Sequence, residues 1–127
     1  MVNFFKILLF CIFVLQISCS KEKKISIVDN TDIRQQMIGL YEEGYQELLN
    51  GDVLYAAKKF KEAELIFPQS EWAPMASLMA AYTYYSQDYY FDTIYQIEDY
   101  LKKYPNHINR DYAQFLLAMC YYENIVD

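Results

Sequence analysis

Apolar residues recur every three to four positions along most of the chain, which is the spacing of one face of an α-helix. Ile33, Met37 and Leu40 begin this pattern, and it continues as far as Met119. The 127 residues include only three glycines and three prolines, so few positions interrupt a helix. Residues 32–127 are therefore predicted to form one all-α domain.

Turn and capping residues divide this pattern into five predicted helices. Gly51, Pro68 and Pro105 stand where a helix is expected to end. Side chains that can accept hydrogen bonds from the free amides of the next helix follow these breaks, namely Asp52, Ser70, and Asn106 or Asn109, and Asp88 is predicted to cap the fourth helix. The fourth helix is predicted to carry an apolar stripe of Phe91, Ile94, Tyr95, Ile97 and Leu101. Helices with such short connections pack as antiparallel hairpins.

Pro68 and Pro105 lie 37 residues apart at equivalent helix ends, which favours a repeated helical hairpin. This pattern resembles tetratricopeptide repeats. The structural positions of that repeat fall on Gly44, Ala56, Phe60 and Pro68 in the first unit, and on Ala81 and Pro105 in the second. We therefore predict a tetratricopeptide-repeat α-solenoid with repeat 1 at about 37–70, repeat 2 at about 74–107 and the first helix of repeat 3 at about 109–127. An unrelated helical bundle is the alternative.

The first 18 residues have the features of a secretory signal peptide. A charged start precedes the apolar run Ile7 to Leu15, which is too short to span a bilayer. Cys19 follows directly, and its placing resembles the export box of bacterial lipoproteins, in which this cysteine receives lipid; Gln16 stands where the box usually has leucine. We expect a lipidated flexible tether at 19–31. An ordinary cleaved signal with an incidental cysteine is the alternative.

Composition argues against several functions. The net charge of −6 disfavours nucleic acid as a partner, because phosphate neutralisation needs clustered lysine and arginine. His107 is the only histidine and lies in a predicted turn, so the sequence gives no metal-site spacing. No serine lies in a nucleophile motif, and a glycine-rich phosphate loop is missing. These features favour a non-enzymatic protein without a cofactor, and Cys120 is expected to be a buried apolar side chain.

Tyrosine is frequent, with 14 residues in the chain. Its large rigid ring with one polar tip suits peptide recognition. In the repeat register, the first helix of each unit lines the concave side of the solenoid. The predicted peptide-binding groove comprises Ile38, Tyr41, Tyr45 and Leu48 in repeat 1, Leu78, Tyr82 and Tyr85 in repeat 2, and Phe115, Met119 and Tyr122 in repeat 3. Packing between repeats is the alternative for any single tyrosine.

Four segments resemble the BamD family, the lipoprotein subunits of the outer-membrane β-barrel assembly machinery: residues 67–74, 78–85, 104–107 and 111–123. The resemblance implies a scaffold on the periplasmic face of the outer membrane, anchored through lipid on Cys19. The implied partners are the barrel-forming core subunit, accessory lipoproteins and the C-terminal segments of unfolded outer membrane proteins. Because members of this family have about five repeats, the sequence is expected to be a fragment, and a naturally truncated gene product is the alternative.

Two other functions stay open. A repeat lipoprotein of the same architecture would serve as an adaptor for cell-wall synthesis, division or pilus biogenesis. A lipid-anchored hydrolase would need clustered side chains with shifted pKa values in a closed pocket.

Overall fold

The computed structural model describes residues 30–126, and this part of the chain forms a row of α-helices. They are α1 (Asn30–Asn50), α2 (Val53–Ile66), α3 (Ala73–Tyr85), α4 (Tyr90–Lys103) and α5 (Arg110–Val126). Each helix packs against the next one along the chain, and α3 also contacts α5. This succession of hairpins confirms the predicted all-α tetratricopeptide-like fold. None of the helices in the described part is long and apolar enough to cross a bilayer.

The predicted signal peptide and Cys19 lie outside the described residues. The tether, which was predicted at 19–31, is too long by two residues, since α1 begins at Asn30. Helix α1 packs against α2 and α3 packs against α4, as two successive hairpins. The bounds of the repeats stay a prediction.

The break between α1 and α2 follows the prediction. Gly51 has a φ of +85°, a left-handed conformation that glycine adopts without steric cost. Asp52 then accepts a hydrogen bond from the backbone N–H of Tyr55 at 3.1 Å and caps α2. This cap satisfies one of the amides that the first turn of a helix leaves without a partner.

Ser70 caps the turn that leads into α3 rather than the helix itself. Its Oγ accepts a hydrogen bond from the backbone N–H of Ala73 at 3.1 Å. Trp72 holds the N-cap position without a side-chain hydrogen bond. Ser70 therefore fixes the approach of the chain to α3, and with it the position of Trp72.

The cap predicted for α4 is wrong. Asp88 has a φ of 63°, and its carboxylate accepts a hydrogen bond from the hydroxyl of Tyr90 at 2.8 Å. Tyr89 takes the N-cap position instead. Of the two asparagines proposed for the start of α5, Asn109 is the one beside the helix, and its carbonyl accepts from the backbone N–H of Ala113.

Buried positions recur at the 37-residue spacing, so the repeat is present in the packing as well as in the sequence. The fully buried pairs are Ala56 and Thr93, Phe60 and Ile97, and Ala63 and Tyr100. Gly44 and Ala81 hold a further equivalent buried position. Thr93 and Ile97 thus occupy in repeat 2 the places of the alanine and phenylalanine of repeat 1.

The apolar stripe predicted for α4 is partly wrong. Phe91 is 80% exposed and Tyr95 is 67% exposed, and both point away from the neighbouring helices. The side chains that α4 buries are Thr93, Gln96, Ile97 and Tyr100. The repeat register, rather than apolar character, decides which face of this helix is covered.

A buried carboxylate joins the two repeats. Glu64, at the end of α2, is only 4% exposed. It accepts a hydrogen bond from the hydroxyl of Tyr104 at 2.9 Å and pairs with Nζ of Lys103 at 3.2 Å. Burial and this hydrogen bond raise the pKa of Tyr104, so the phenol stays protonated and keeps donating. The contact holds the ends of α2 and α4 together.

His107 and Cys120 have structural roles. Nδ1 of His107 lies 2.7 Å from the hydroxyl oxygen of Tyr100 and accepts a hydrogen bond from the backbone N–H of Asn109 at 3.3 Å. The imidazole therefore fixes the turn before α5 against the core. Cys120 is fully buried, as predicted, and burial raises the pKa of its thiol.

Candidate functional site

Two clefts open on the face that the first helices of the repeats form. The N-terminal cleft, between α1 and α3, has a volume of about 320 Å³ and is lined by Met37, Ile38, Tyr41, Glu42, Trp72 and Ala76. The C-terminal cleft, between α3 and α5, has a volume of about 420 Å³ and is lined by Met75, Leu78, Met79, Tyr82, Asn109 and Tyr112. Neither lining includes a residue of α2 or α4.

Both clefts use the same position of the repeat. Ile38, Met75 and Tyr112 are each 37 residues apart and therefore hold equivalent places on α1, α3 and α5. On a helix, residues three and four positions further on share the same face. Tyr41 follows Ile38 by three residues and lines the N-terminal cleft, and Leu78 follows Met75 by three residues and lines the C-terminal cleft.

The N-terminal cleft is apolar with one carboxylate at its edge. Trp72 is 47% exposed, so its ring is available to a ligand. The ring of Tyr41 packs edge-on against Phe60, with centroids 5.1 Å apart, and burial raises the pKa of this tyrosine. Tyr41 is therefore a rigid, neutral wall, whereas the flexible thioether of Met37 can adapt to the shape of a ligand.

The C-terminal cleft offers aromatic rings and one amide. Leu78 is buried and forms its floor, while Tyr82 and Tyr112 are partly exposed. Burial and, to a smaller extent, the neighbouring Tyr82 raise the pKa of Tyr112, so the phenol of Tyr112 is neutral under physiological conditions. The side-chain amide of Asn109 donates to Sδ of Met75 at 2.9 Å.

The chemistry of the two clefts suits non-covalent binding. Their linings contain no histidine, cysteine or lysine, and Glu42 is their one ionisable carboxylate. Over residues 30–126, no group of three histidine, cysteine, aspartate or glutamate side chains is arranged to hold a metal ion. Apolar walls with a few polar groups are typical of surfaces that bind peptide side chains.

Sequence comparison identifies the family. Residues 34–127, which include both clefts, match the family model YfiO, described as outer membrane lipoprotein. The chain belongs to this family.

The relatives of this YfiO-family chain carry the name outer membrane protein assembly factor BamD. The protein from Caulobacter vibrioides is 35% identical over 88 residues, which are 69% of this chain and 29% of the relative. That from Neisseria gonorrhoeae is 34% identical over 80 residues, 63% of this chain and 30% of the relative. That from Rickettsia prowazekii is 30% identical over 99 residues, 78% of this chain and 39% of the relative.

This chain therefore spans 29% to 39% of the length of these BamD relatives. The matches confirm the resemblance to the BamD family that the sequence suggested. No solved structure gives a significant match to the chain.

Four of the predicted groove residues line the clefts of this YfiO-family chain. Leu78 and Tyr82 meet Tyr112 in the C-terminal cleft, and Ile38 and Tyr41 lie in the N-terminal cleft. Outside both clefts, Leu48 and Tyr85 pack against core clusters, Met119 is half-buried, and Tyr45, Phe115 and Tyr122 are exposed. A binding role for the predicted groove residues, inside the clefts and outside them, stays a prediction.

Several cleft residues were not predicted as site residues. Met75 and Tyr112 follow from Ile38 once the 37-residue spacing is applied to it, so the sequence contained a signal for them. Trp72 precedes α3 and lies outside the helical register, and no periodic signal identifies it.

Proposed function

We propose that this chain takes part in outer membrane protein assembly as a non-enzymatic scaffold, attached by lipid to the periplasmic face of the outer membrane. Membership of a family of outer membrane lipoproteins supports the location, and the relatives named outer membrane protein assembly factor BamD support the process. The observation that carries a binding role is the pair of apolar clefts at one repeated position of the fold.

The proposed ligands are exposed apolar side chains of other polypeptides. An unfolded segment presents such side chains to water, and burying one the size of leucine or phenylalanine gains about 1.5–3 kcal/mol. Two anchors, one in each cleft, together give a weak to moderate affinity once the cost of ordering the peptide is subtracted. A scaffold that must release its clients benefits from an affinity in this range.

The proposed clients are the C-terminal segments of unfolded outer membrane proteins, whose terminal aromatic residue matches the clefts in size and chemistry. The barrel-forming core subunit and accessory lipoproteins of the assembly machinery are proposed as partners. These proposals concern a chain that matches 29% to 39% of the length of these relatives.

Replacing Tyr82 with alanine is expected to weaken binding of a peptide that ends in phenylalanine by about thirtyfold, because an aromatic anchor in a central pocket contributes about 2 kcal/mol. Tyr82 is 39% exposed, so helicity should change little. Fluorescence anisotropy of the labelled peptide and circular dichroism measure the two effects. Tyr95→Ala, on the outward face of α4, should bind like the parent chain. Equal losses in both variants, or loss of helicity in Tyr82→Ala, would contradict the proposal.

Replacing Cys19 with serine is expected to abolish incorporation of a labelled fatty acid and to move the chain from the membrane fraction to the periplasmic fraction. The thiol of Cys19 is the proposed attachment point. Serine has a hydroxyl instead, so the thiolate that would receive the lipid is missing. Cys11→Ala is the control, since Cys11 lies in the predicted signal peptide and should leave labelling intact. Lipid label on the Cys19→Ser variant would reject the anchor.

A further inference from the structure

Among the residues that line the two clefts, Glu42 is the only charged one. Glu42 lines the N-terminal cleft, and neither cleft is lined by lysine or arginine. Helix α3, which separates the clefts, has no charged residue along Ala73–Tyr85. A cation that enters the N-terminal cleft therefore meets one carboxylate and no lysine or arginine in the lining.

Glu42 is available to a ligand, whereas the next residue is not. Glu43 pairs with Nζ of Lys59 at 3.1 Å and accepts a hydrogen bond from the hydroxyl of Tyr55 at 2.8 Å. Glu42 is exposed and makes no ion pair with any residue in 30–126. The two neighbouring carboxylates therefore differ in role. Glu43 joins α1 to α2, whereas Glu42 lies at the opening of the cleft.

We propose that the N-terminal cleft selects peptide segments in which an apolar or aromatic side chain stands next to a lysine or arginine. This inference rests on the proposed function and adds the specificity of the site. The apolar side chain enters between Trp72 and Tyr41, and the neighbouring cation pairs with the carboxylate of Glu42 at the edge. The face of Trp72 also attracts a cation that approaches within about 6 Å of the ring.

Three peptides test the inference against the full chain. They share one sequence with a single phenylalanine and differ only in the residue beside it, which is lysine, glutamine or glutamate. The lysine peptide is expected to bind about two- to fivefold more tightly than the glutamine peptide, the range of a solvent-exposed ion pair, and the glutamate peptide to bind most weakly. These differences should shrink at high salt, since exposed charges are screened.

Glu42→Gln should bind the glutamine peptide as the parent chain does and lose the preference for lysine. Glu98→Gln is the matched control, because it removes one carboxylate from the surface of α4 and should keep the preference. If the parent chain binds all three peptides equally, or if Glu42→Gln keeps the preference, the charge selection is wrong while peptide binding stands. If no peptide binds, both the selection and the proposed peptide-binding function fall.

Discussion

Replacing Phe60 with alanine is expected to lower the free energy of unfolding by about 3–5 kcal/mol. The side chain is 0% exposed and belongs to the core cluster of Ala56 and Ala80, where α2 meets α3. Its ring also supports Tyr41 through an edge-on contact. Alanine would leave a cavity that the surrounding helices can close only in part, so the loss includes transfer and cavity contributions.

Urea unfolding followed by circular dichroism measures this loss. Phe91→Ala is the matched control, because Phe91 is 80% exposed at the start of α4 and its removal should change stability by no more than about 0.5 kcal/mol. Because Phe60 holds the wall of the N-terminal cleft in place, Phe60→Ala should also weaken peptide binding. Equal destabilisation by the two substitutions would contradict the packing described for α2.

Replacing Gly44 with leucine is expected to destabilise the fold by about 1–3 kcal/mol. A Cβ at this position would lie 3.2 Å from the carbonyl oxygen of Ala56, from Cβ of Lys59 and from Cδ1 of Phe60. The carbonyl oxygen of Ala56 and Cβ of Lys59 are fixed by the backbone of α2. They can therefore move away only if α1 and α2 separate. The rest of the leucine side chain increases the overlap.

Gly39→Leu is the control with the opposite expected sign. Within residues 30–126, no atom beyond the adjoining turns of its own helix lies within 4 Å of a Cβ built at Gly39, which faces solvent on the same helix. Leucine there should stabilise the chain by about 0.5–1 kcal/mol, because it has a higher helix propensity than glycine. Thermal unfolding of both variants separates the two effects; a stabilised Gly44→Leu or an equally damaged Gly39→Leu would refute close approach of the helices at Gly44.

The fold could be predicted largely because its steric requirements recur. Gly44 and Ala81 mark where paired helices cross, and Pro68 and Pro105 mark where hairpins end, so the spacing reports three-dimensional packing directly. Features that no repeated steric requirement fixes, such as the cap of α4, were harder to predict. Asp88 has a side chain suited to capping, yet the tight turn before α4 places its backbone at positive φ and its carboxylate against Tyr90.

Apolar character alone misplaced part of the surface. Phe91 and Tyr95 fit a helical stripe in the sequence, but the neighbours of α4 contact the face that carries Thr93 and Tyr100 instead. Exposed aromatic residues on one helix face cannot be told from core residues until the helix is placed against its partners.

The candidate site could be predicted only in part for a related reason. Tyr41, Leu78 and Tyr82 lie on repeated positions of the first helices, and the register identified them. Whether a position lines an open cleft or packs against a neighbour depends on how far apart α1, α3 and α5 lie. Leu48 and Tyr85 share the predicted face but pack against the core. Trp72 reaches its cleft through the turn before α3, which Ser70 fixes.

The intrinsic fluorescence of Trp72 tests the central claim most directly, because it is the only tryptophan in the chain and it lines the N-terminal cleft. During titration with a peptide that carries a lysine beside a phenylalanine, its emission should move to shorter wavelength as the ring leaves water. This change should saturate at the same peptide concentration as the anisotropy of the labelled peptide. A peptide that binds by anisotropy while the emission of Trp72 stays unchanged would show that binding occurs away from this cleft.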